Sequence, residues 1–151
     1  MINAIELLKQ DHRKVEKLFK EVEQATNSTV RMELFNQIAT ELEAHATAEE
    51  VALYPKAEKL EQTKGQAMHA YKEHSDIRKC IDEVKKGNAG KDEWMGKIQD
   101  LKEVVNHHVK EEEGDFFPKI ERYFTVYELE VVGREIENSK QQSKQKFAKA
   151  S

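Results

Sequence analysis

Six side chains in this sequence have the types and the spacing to hold metal: His12, His45, Glu49, His74, His108 and Glu112. Each falls on the apolar stripe of an amphipathic helical segment. His45 and Glu49 are four residues apart, as are His108 and Glu112. In an α-helix, residues i and i+4 share one face about one turn apart. An ionised carboxylate in a helix-bundle core is costly unless it is paired or bound to metal. One stripe histidine alone would read as a packed core residue, and Glu112 alone as a helix-end acid turned to water. Four histidines and two glutamates with duplicated spacing do not reduce to packing.

The donor types narrow the chemistry. Imidazole with carboxylate suits iron, manganese or zinc, and six ligands exceed what one tetrahedral zinc requires. Two octahedral ions sharing bridging carboxylates account for the number. The zinc-protease pattern His-Glu-x-x-His is absent. The ferritin-type Glu-x-x-His is absent too, because Leu42 and Val105 stand where its glutamates belong.

The elements that position these residues read as helices. The first stripe is Ile5, Leu8, His12, Val15, Phe19, Val22, opened by Asn3 with Glu6 as a capping pair and followed by the turn Thr26-Asn27-Ser28-Thr29. The second, Phe35, Ile38, Leu42, His45, Glu49, Ala52, is interrupted at Pro55, and Gly65 marks the next break. The third, Ala67, Ala70, His74, Ile77, Ile81, Val84, closes at Gly87-Asn88-Ala89-Gly90. The fourth, Trp94, Ile98, Leu101, Val105, His108, Glu112, ends at Gly114 and Pro118. A weaker amphipathic segment, roughly Val126 to Phe147, runs into a Lys/Gln/Ser tail expected to fray.

Helices of about twenty residues joined by short turns predict an all-α, up-down-up-down four-helix bundle with an additional C-terminal helix. The expected division is a bundle over residues 1–124 and a helix with its tail over 125–151, packed on the same domain. At about 1.5 Å rise per residue, antiparallel packing brings the four histidines to one level near one end. The chain also repeats itself: Asp11-His12 answers Glu73-His74, and His45…Glu49-Glu50…Tyr54-Pro55 answers His108…Glu112-Glu113…Phe117-Pro118. Two similar hairpins would form a pseudo-twofold bundle with two equivalent half-sites.

Composition agrees. The 151 residues, 17.5 kDa in mass, are 36% charged and 38% hydrophobic, with a mean hydropathy of −0.84. That is too polar for a sandwich but ordinary for helices burying one stripe. A net charge of −4 with interspersed Lys and Glu gives no reason to expect nucleic acid, and no run is apolar enough to span a membrane. One cysteine, Cys80, excludes an intrachain disulfide and reads as a small core residue; a cytoplasmic location follows as the default. His69 and His107 lie off the stripes and read as surface or outer residues, although a one-residue rotation of the fourth helix would exchange His107 with His108. Asp11 and Glu73 read as solvated acids, with tuning of the adjacent histidine as the alternative.

Taken as a set, Asp11-His12, His45-x-x-x-Glu49-Glu50, Glu73-His74 and His108-x-x-x-Glu112-Glu113 resemble the hemerythrin-like, or HHE cation-binding, domain family from the N-terminus to about residue 120. The resemblance implies two iron ions with an oxo or hydroxo bridge, carried by His12, His45, His74 and His108 as terminal ligands and Glu49 and Glu112 as bridges. It implies a protein that binds, senses or reacts with O2, NO or peroxide, in stress defence or iron handling, as a monomer or homodimer. The sequence departs from the oxygen carriers of that family at Ala70, where they have a fifth histidine, and at Glu113, where they have an aspartate. Water, an exogenous ligand, Glu50, Tyr54 or Tyr71 could fill the position that Ala70 leaves. Two other functions are weighed: a metal store, sensor or donor without turnover, and an interaction bundle whose histidines are vestigial.

Overall fold

A computed structural model describes residues 2–150, with side chains described through Lys146. Helix α1 (Ala4–Gln24) begins at Asn3, whose side-chain oxygen accepts from the N–H groups of Ile5 and Glu6 at 3.0 and 3.2 Å. Asn27 caps α2 (Ser28–Ala48) in the same way, accepting from Thr29 and Val30. These two helices form one hairpin; α4 (Glu61–Lys85) and α5 (Asp92–Glu111) form the other. All the stripe residues predicted for the four helices are buried.

The prolines act differently from expectation. Neither Pro55 nor Gly114 with Pro118 ends its helix. Instead α2 passes through a π-helical turn, Glu49–Leu53, into α3 (Tyr54–Glu58), and α5 passes through Glu112–Phe116 into α6 (Phe117–Tyr123). Proline lacks an N–H, and its ring clashes with the carbonyl four residues back in a regular helix. Admitting one extra residue to the turn relieves that clash and keeps the chain helical. The N–H of Tyr54 accordingly donates to Glu49 O, and that of Phe117 to Glu112 O. The i→i−5 bond sets Tyr54 beneath Glu49 and Phe117 beneath Glu112.

Gly65 is not a break either. The chain turns at Leu60, where the Thr63 hydroxyl donates to Ala57 O at 2.7 Å, and Gly65 lies within α4 with open space where a Cβ would be.

Two apolar clusters fill the bundle. One contains Val15, Phe19, Phe35, Ile38, Ile77, Trp94, Ile98 and Leu101; the other contains Ile5, Leu8, Leu53, Phe116, Phe117, Ile120 and residues of the last helix. The six polar stripe residues form a layer between them. Helix α7 (Val126–Ala150) packs along α2, α1 and the first π turn, contributing Val132 and Ile136 to the second cluster. It runs past the start of the tail that composition marks for fraying; the Phe147 side chain lies outside the described ones. Gly133 permits the close approach, since a Cβ there would fall 2.5 Å from Ile2 Cγ2 and 3.3 Å from Ala4 N. Among the described residues no helix is long and apolar enough to cross a membrane.

Candidate metal centre

The layer brings all six expected residues together. His12, His45, Glu49, His74, His108 and Glu112 are each at most 6% exposed. They fall into two groups whose donor atoms lie within 4.8 Å of one another: His12, His45 and Glu112, and His74, His108 and Glu49. Each group takes two histidines from one hairpin and its carboxylate from the other. The carboxylates also touch the opposite group. Glu49 Oε1 is 3.1 Å from both His74 Nε2 and His45 Nε2, and Glu112 Oε1 is 3.2 Å from His12 Nε2 and 3.3 Å from His108 Nε2. Each glutamate therefore stands between histidines of both groups, the placement a bridging carboxylate requires.

All four imidazoles are oriented alike, with Nε2 inward and Nδ1 against an outer carboxylate. His12 Nδ1 meets Glu113 Oε2 at 2.6 Å; His45 Nδ1 meets Asp11 Oδ2, His74 Nδ1 meets Glu50 Oε2 and His108 Nδ1 meets Glu73 Oε1, each at 2.8 Å. With Nδ1–H donating outward, the neutral ring presents its Nε2 lone pair to the centre. Asp11 and Glu73 are thus not solvated acids. They are buried, and each holds the second histidine of its own hairpin, not the one it precedes. Glu50 and Glu113 reach across to the other hairpin. The collar follows the 62–63-residue repeat, so the quoted motifs contained its signal; what they lacked was the pairing of acid with ring.

The outer acids are anchored in turn. Arg78 places two nitrogens on Glu50, at 2.8 and 3.0 Å, while Arg13 pairs with Glu113 and Lys140 of α7 with Asp11. Burial alone would raise the Glu50 carboxyl, but His74 and Arg78 hold it down to about 2.

Burial likewise opposes charge on His45, His74 and His108, yet the facing carboxylates outweigh it. Glu49 and Asp11 hold His45 well above its usual value, Glu112 does so for His108, and Glu49 and Glu50 raise His74. Buried Glu112 is held well below the usual carboxylate range by His108.

The inward atoms are not fully satisfied. His45 Nε2, His108 Nε2 and Glu49 Oε2 are buried without a hydrogen-bond partner; the 3.1 Å approach of His45 to Glu49 lacks the alignment of a hydrogen bond. Orphaned atoms of this kind are rare in native cores, where a bound ion or water is their usual partner. Three of the six inward residues carrying one fits metal cations at this layer.

The repeat is broken at Tyr54 and Phe117. The Tyr54 hydroxyl donates to Glu112 Oε2 at 2.8 Å and lies 3.1 Å from His74 Nε2, whereas the Phe117 ring stacks on His12 with centroids 5.8 Å apart. Of the groups considered for the position left by Ala70, Tyr54 is the one that reaches the inward ligand atoms. Glu50 is turned outward to Arg78, and Tyr71 packs edge-on against the Tyr54 ring. His69 and His107 are exposed, as expected, so the fourth helix has the register that points His108 inward. Cys80 is partly buried against the first apolar cluster.

Below the four rings, on the side of Val15, Leu42, Ile77 and Val105, lies a cavity of about 30 Å³. Those four residues give it apolar walls.

Comparisons with known proteins bear on the fold and the family. The chain is 28% identical over 146 residues to a protein named DNA nickase from Nostoc sp., matching 97% of this chain and 41% of the relative. It is 27% identical over 120 residues to an uncharacterized hemerythrin-like protein of Schizosaccharomyces pombe, matching 78% of this chain and 59% of the relative. The chain thus spans about half the length of these curated relatives. A crystal structure of a hemerythrin HHE cation binding domain-containing protein from Mycobacterium kansasii superposes with a TM-score of 0.84 at 26% identity, covering 95% of this chain and 88% of that one. The family model described as the hemerythrin HHE cation binding domain matches residues 3–120, and the chain belongs to that family.

Proposed function

We propose that the protein holds two iron ions in this layer and that the pair binds or reacts with O2, NO or peroxide. His12 and His45 would hold one ion, His74 and His108 the other, with Glu49 and Glu112 shared between them. The observation that carries the reading is the pair of three-donor groups with their orphaned inward atoms. Six donors of imidazole and carboxylate type fit two ions of octahedral habit and leave coordination positions open. Iron supplies, when bound, a redox-active pair that small oxygen and nitrogen ligands can reach.

The protein's own residues set the terms. Asp11, Glu73, Glu50 and Glu113 fix the ring orientations and make the imidazoles better donors. The Tyr54 hydroxyl, bonded to Glu112 Oε2 and 3.1 Å from His74 Nε2, is the chain's own group for the position that Ala70 leaves. A space of about 30 Å³ is enough for one water-sized molecule, so it selects a ligand of one or two heavy atoms.

The test is optical. Protein reconstituted anaerobically with iron(II) is mixed with O2, NO or hydrogen peroxide in turn. The proposal predicts a new near-ultraviolet and visible band with at least one of the three. Two bound irons whose spectrum responds to none would assign the site to storage or donation of metal instead.

A further inference from the structure

A second cluster of metal-ligating side chains lies outside this centre, on the open face of the second hairpin. His69 and Glu73 are four residues apart on α4, and His107 and Glu111 are four apart on α5. Glu111 places one oxygen 3.2 Å from His69 Nε2 and the other 3.1 Å from His107 Nε2. Glu73 Oε2 is 3.4 Å from the first ring and 3.6 Å from the second. The ligand atoms of His69, Glu73 and Glu111 lie within 4.8 Å of one another, and His107 approaches both carboxylates from the α5 side.

Among the described residues, the ion pairs of Glu73 and Glu111 are with histidines alone, and no Lys or Arg neutralises them. A merely solvated cluster would not be tied to the interior, and this one is tied twice. Glu73 is shared, since its Oε1 receives His108 Nδ1 at 2.8 Å while its Oε2 faces outward. A cleft of about 230 Å³ opens beside His69 and Glu111 and is lined further in by Ala70 and Glu112, both buried. Its walls therefore include Glu73 and Glu111 of the outer cluster together with Glu112 of the buried layer, and Ala70 stands between them where a fifth histidine would be bulkier.

The internal repeat shows how particular this face is. The positions of the first hairpin that correspond to His69, His107 and Glu111 are Leu7, Ala44 and Ala48. Ala44 and Ala48 are fully buried, and Asp11, the counterpart of Glu73, is closed off by Lys140 of α7. One flank of the layer is sealed by the last helix; the other is open and carries four ligand side chains.

We propose that His69, Glu73, His107 and Glu111 form a surface site for a divalent first-row transition-metal ion, from which ions pass through the cleft to the buried pair. Two nitrogen and two oxygen donors suit Fe²⁺, Co²⁺ or Zn²⁺, and solvent exposure of both rings keeps the ion exchangeable. The passage is ligand exchange without redox change, in which Glu73 and Glu112 hand the ion between carboxylates. The second half of this inference rests on the proposed buried pair; the outer site does not.

The experiment titrates metal-free full-length protein with cobalt(II) alone, following bound metal and the rate at which the visible cobalt bands of the buried sites grow. The variants are H69A/H107A, which replaces two exposed helical residues with the best helix former, and E49A/E112A, which removes the inner carboxylates. Three ions in the wild-type chain, two in H69A/H107A with slower filling, and one in E49A/E112A are the expected results. Equal stoichiometry in the wild type and H69A/H107A, or equal filling rates, overturns the proposal. A wild-type protein binding a single ion that H69A/H107A loses would remove the buried pair and leave the surface site standing.

Discussion

Replacing Asp11 with Asn should weaken one half of the centre and spare the other. Asp11 offers two oxygens, one to His45 Nδ1 at 2.8 Å and one to Lys140. Asparagine keeps the shape but has one oxygen for those two donors, so one bond is lost and the charge with it. The His45 ring then donates less electron density through Nε2. Outer carboxylates of this kind are worth about 10–100-fold in metal affinity, which is about 1.4–2.7 kcal/mol. At saturating metal the same energy is lost from the folded state. For a chain of this length that corresponds to a melting decrease of about 3–10 °C. Competition against a chromophoric chelator should resolve two binding steps, with only the step belonging to His12, His45 and Glu112 displaced. Glu50→Gln is the converse case, because Glu50 holds His74 of the other group. Equal weakening of both steps in each variant would refute the division into half-sites. No change in either would refute the role of the acid collar.

Tyr54→Phe leaves buried Glu112 Oε2 without its 2.8 Å donor, so the metal-free protein should lose about 1–3 kcal/mol in urea denaturation. An unchanged midpoint would show the hydroxyl to be energetically idle. Metal affinity should rise with pH through neutrality. His45 and His108 are held protonated above their usual value, so each must release a proton to bind metal; an affinity that falls with rising pH contradicts this. In the metal-free protein, the Glu50 contribution is complete above 4.5 and is lost as pH falls towards about 2. Acid titration of stability in wild type and Glu50→Gln should therefore converge as pH falls through that window, with the variant flatter. Gly133→Ala drives a Cβ into Ile2 Cγ2, and overpacking of this kind costs about 1–3 kcal/mol; adding Ile2→Ala should restore most of the lost melting temperature.

Much of this protein is legible in its sequence because a helical stripe reports burial directly. Every residue placed on the stripes is buried, and the four histidines and two glutamates that interrupt them mark the polar layer. The prolines were harder to read. Pro55 and Pro118 signal the end of a regular helix, whereas a π turn lets the helix continue and aims Tyr54 at the ligands. That outcome depends on tertiary packing of the flanking helices, which no local pattern encodes. Asp11 and Glu73 lie one residue off their stripes and look solvated until the neighbouring helix supplies His45 or His108. Pairings between helices are three-dimensional facts, so the acid collar became visible only with the bundle assembled. Gly65 misled for a simpler reason: with open space around it, a glycine in a helix interior costs about 1 kcal/mol and need not mark a break.

The central claim is that two ions share the buried layer, and counting metal tests it most directly. Protein stripped of metal, reloaded anaerobically with iron(II) and passed through a desalting column, which removes the exchangeable surface ion, should retain two irons per chain by elemental analysis. Glu49→Ala with Glu112→Ala, treated identically and still helical by circular dichroism, should retain neither. One iron or none in the wild-type chain, or two in the double variant, would contradict a dinuclear centre built on these residues.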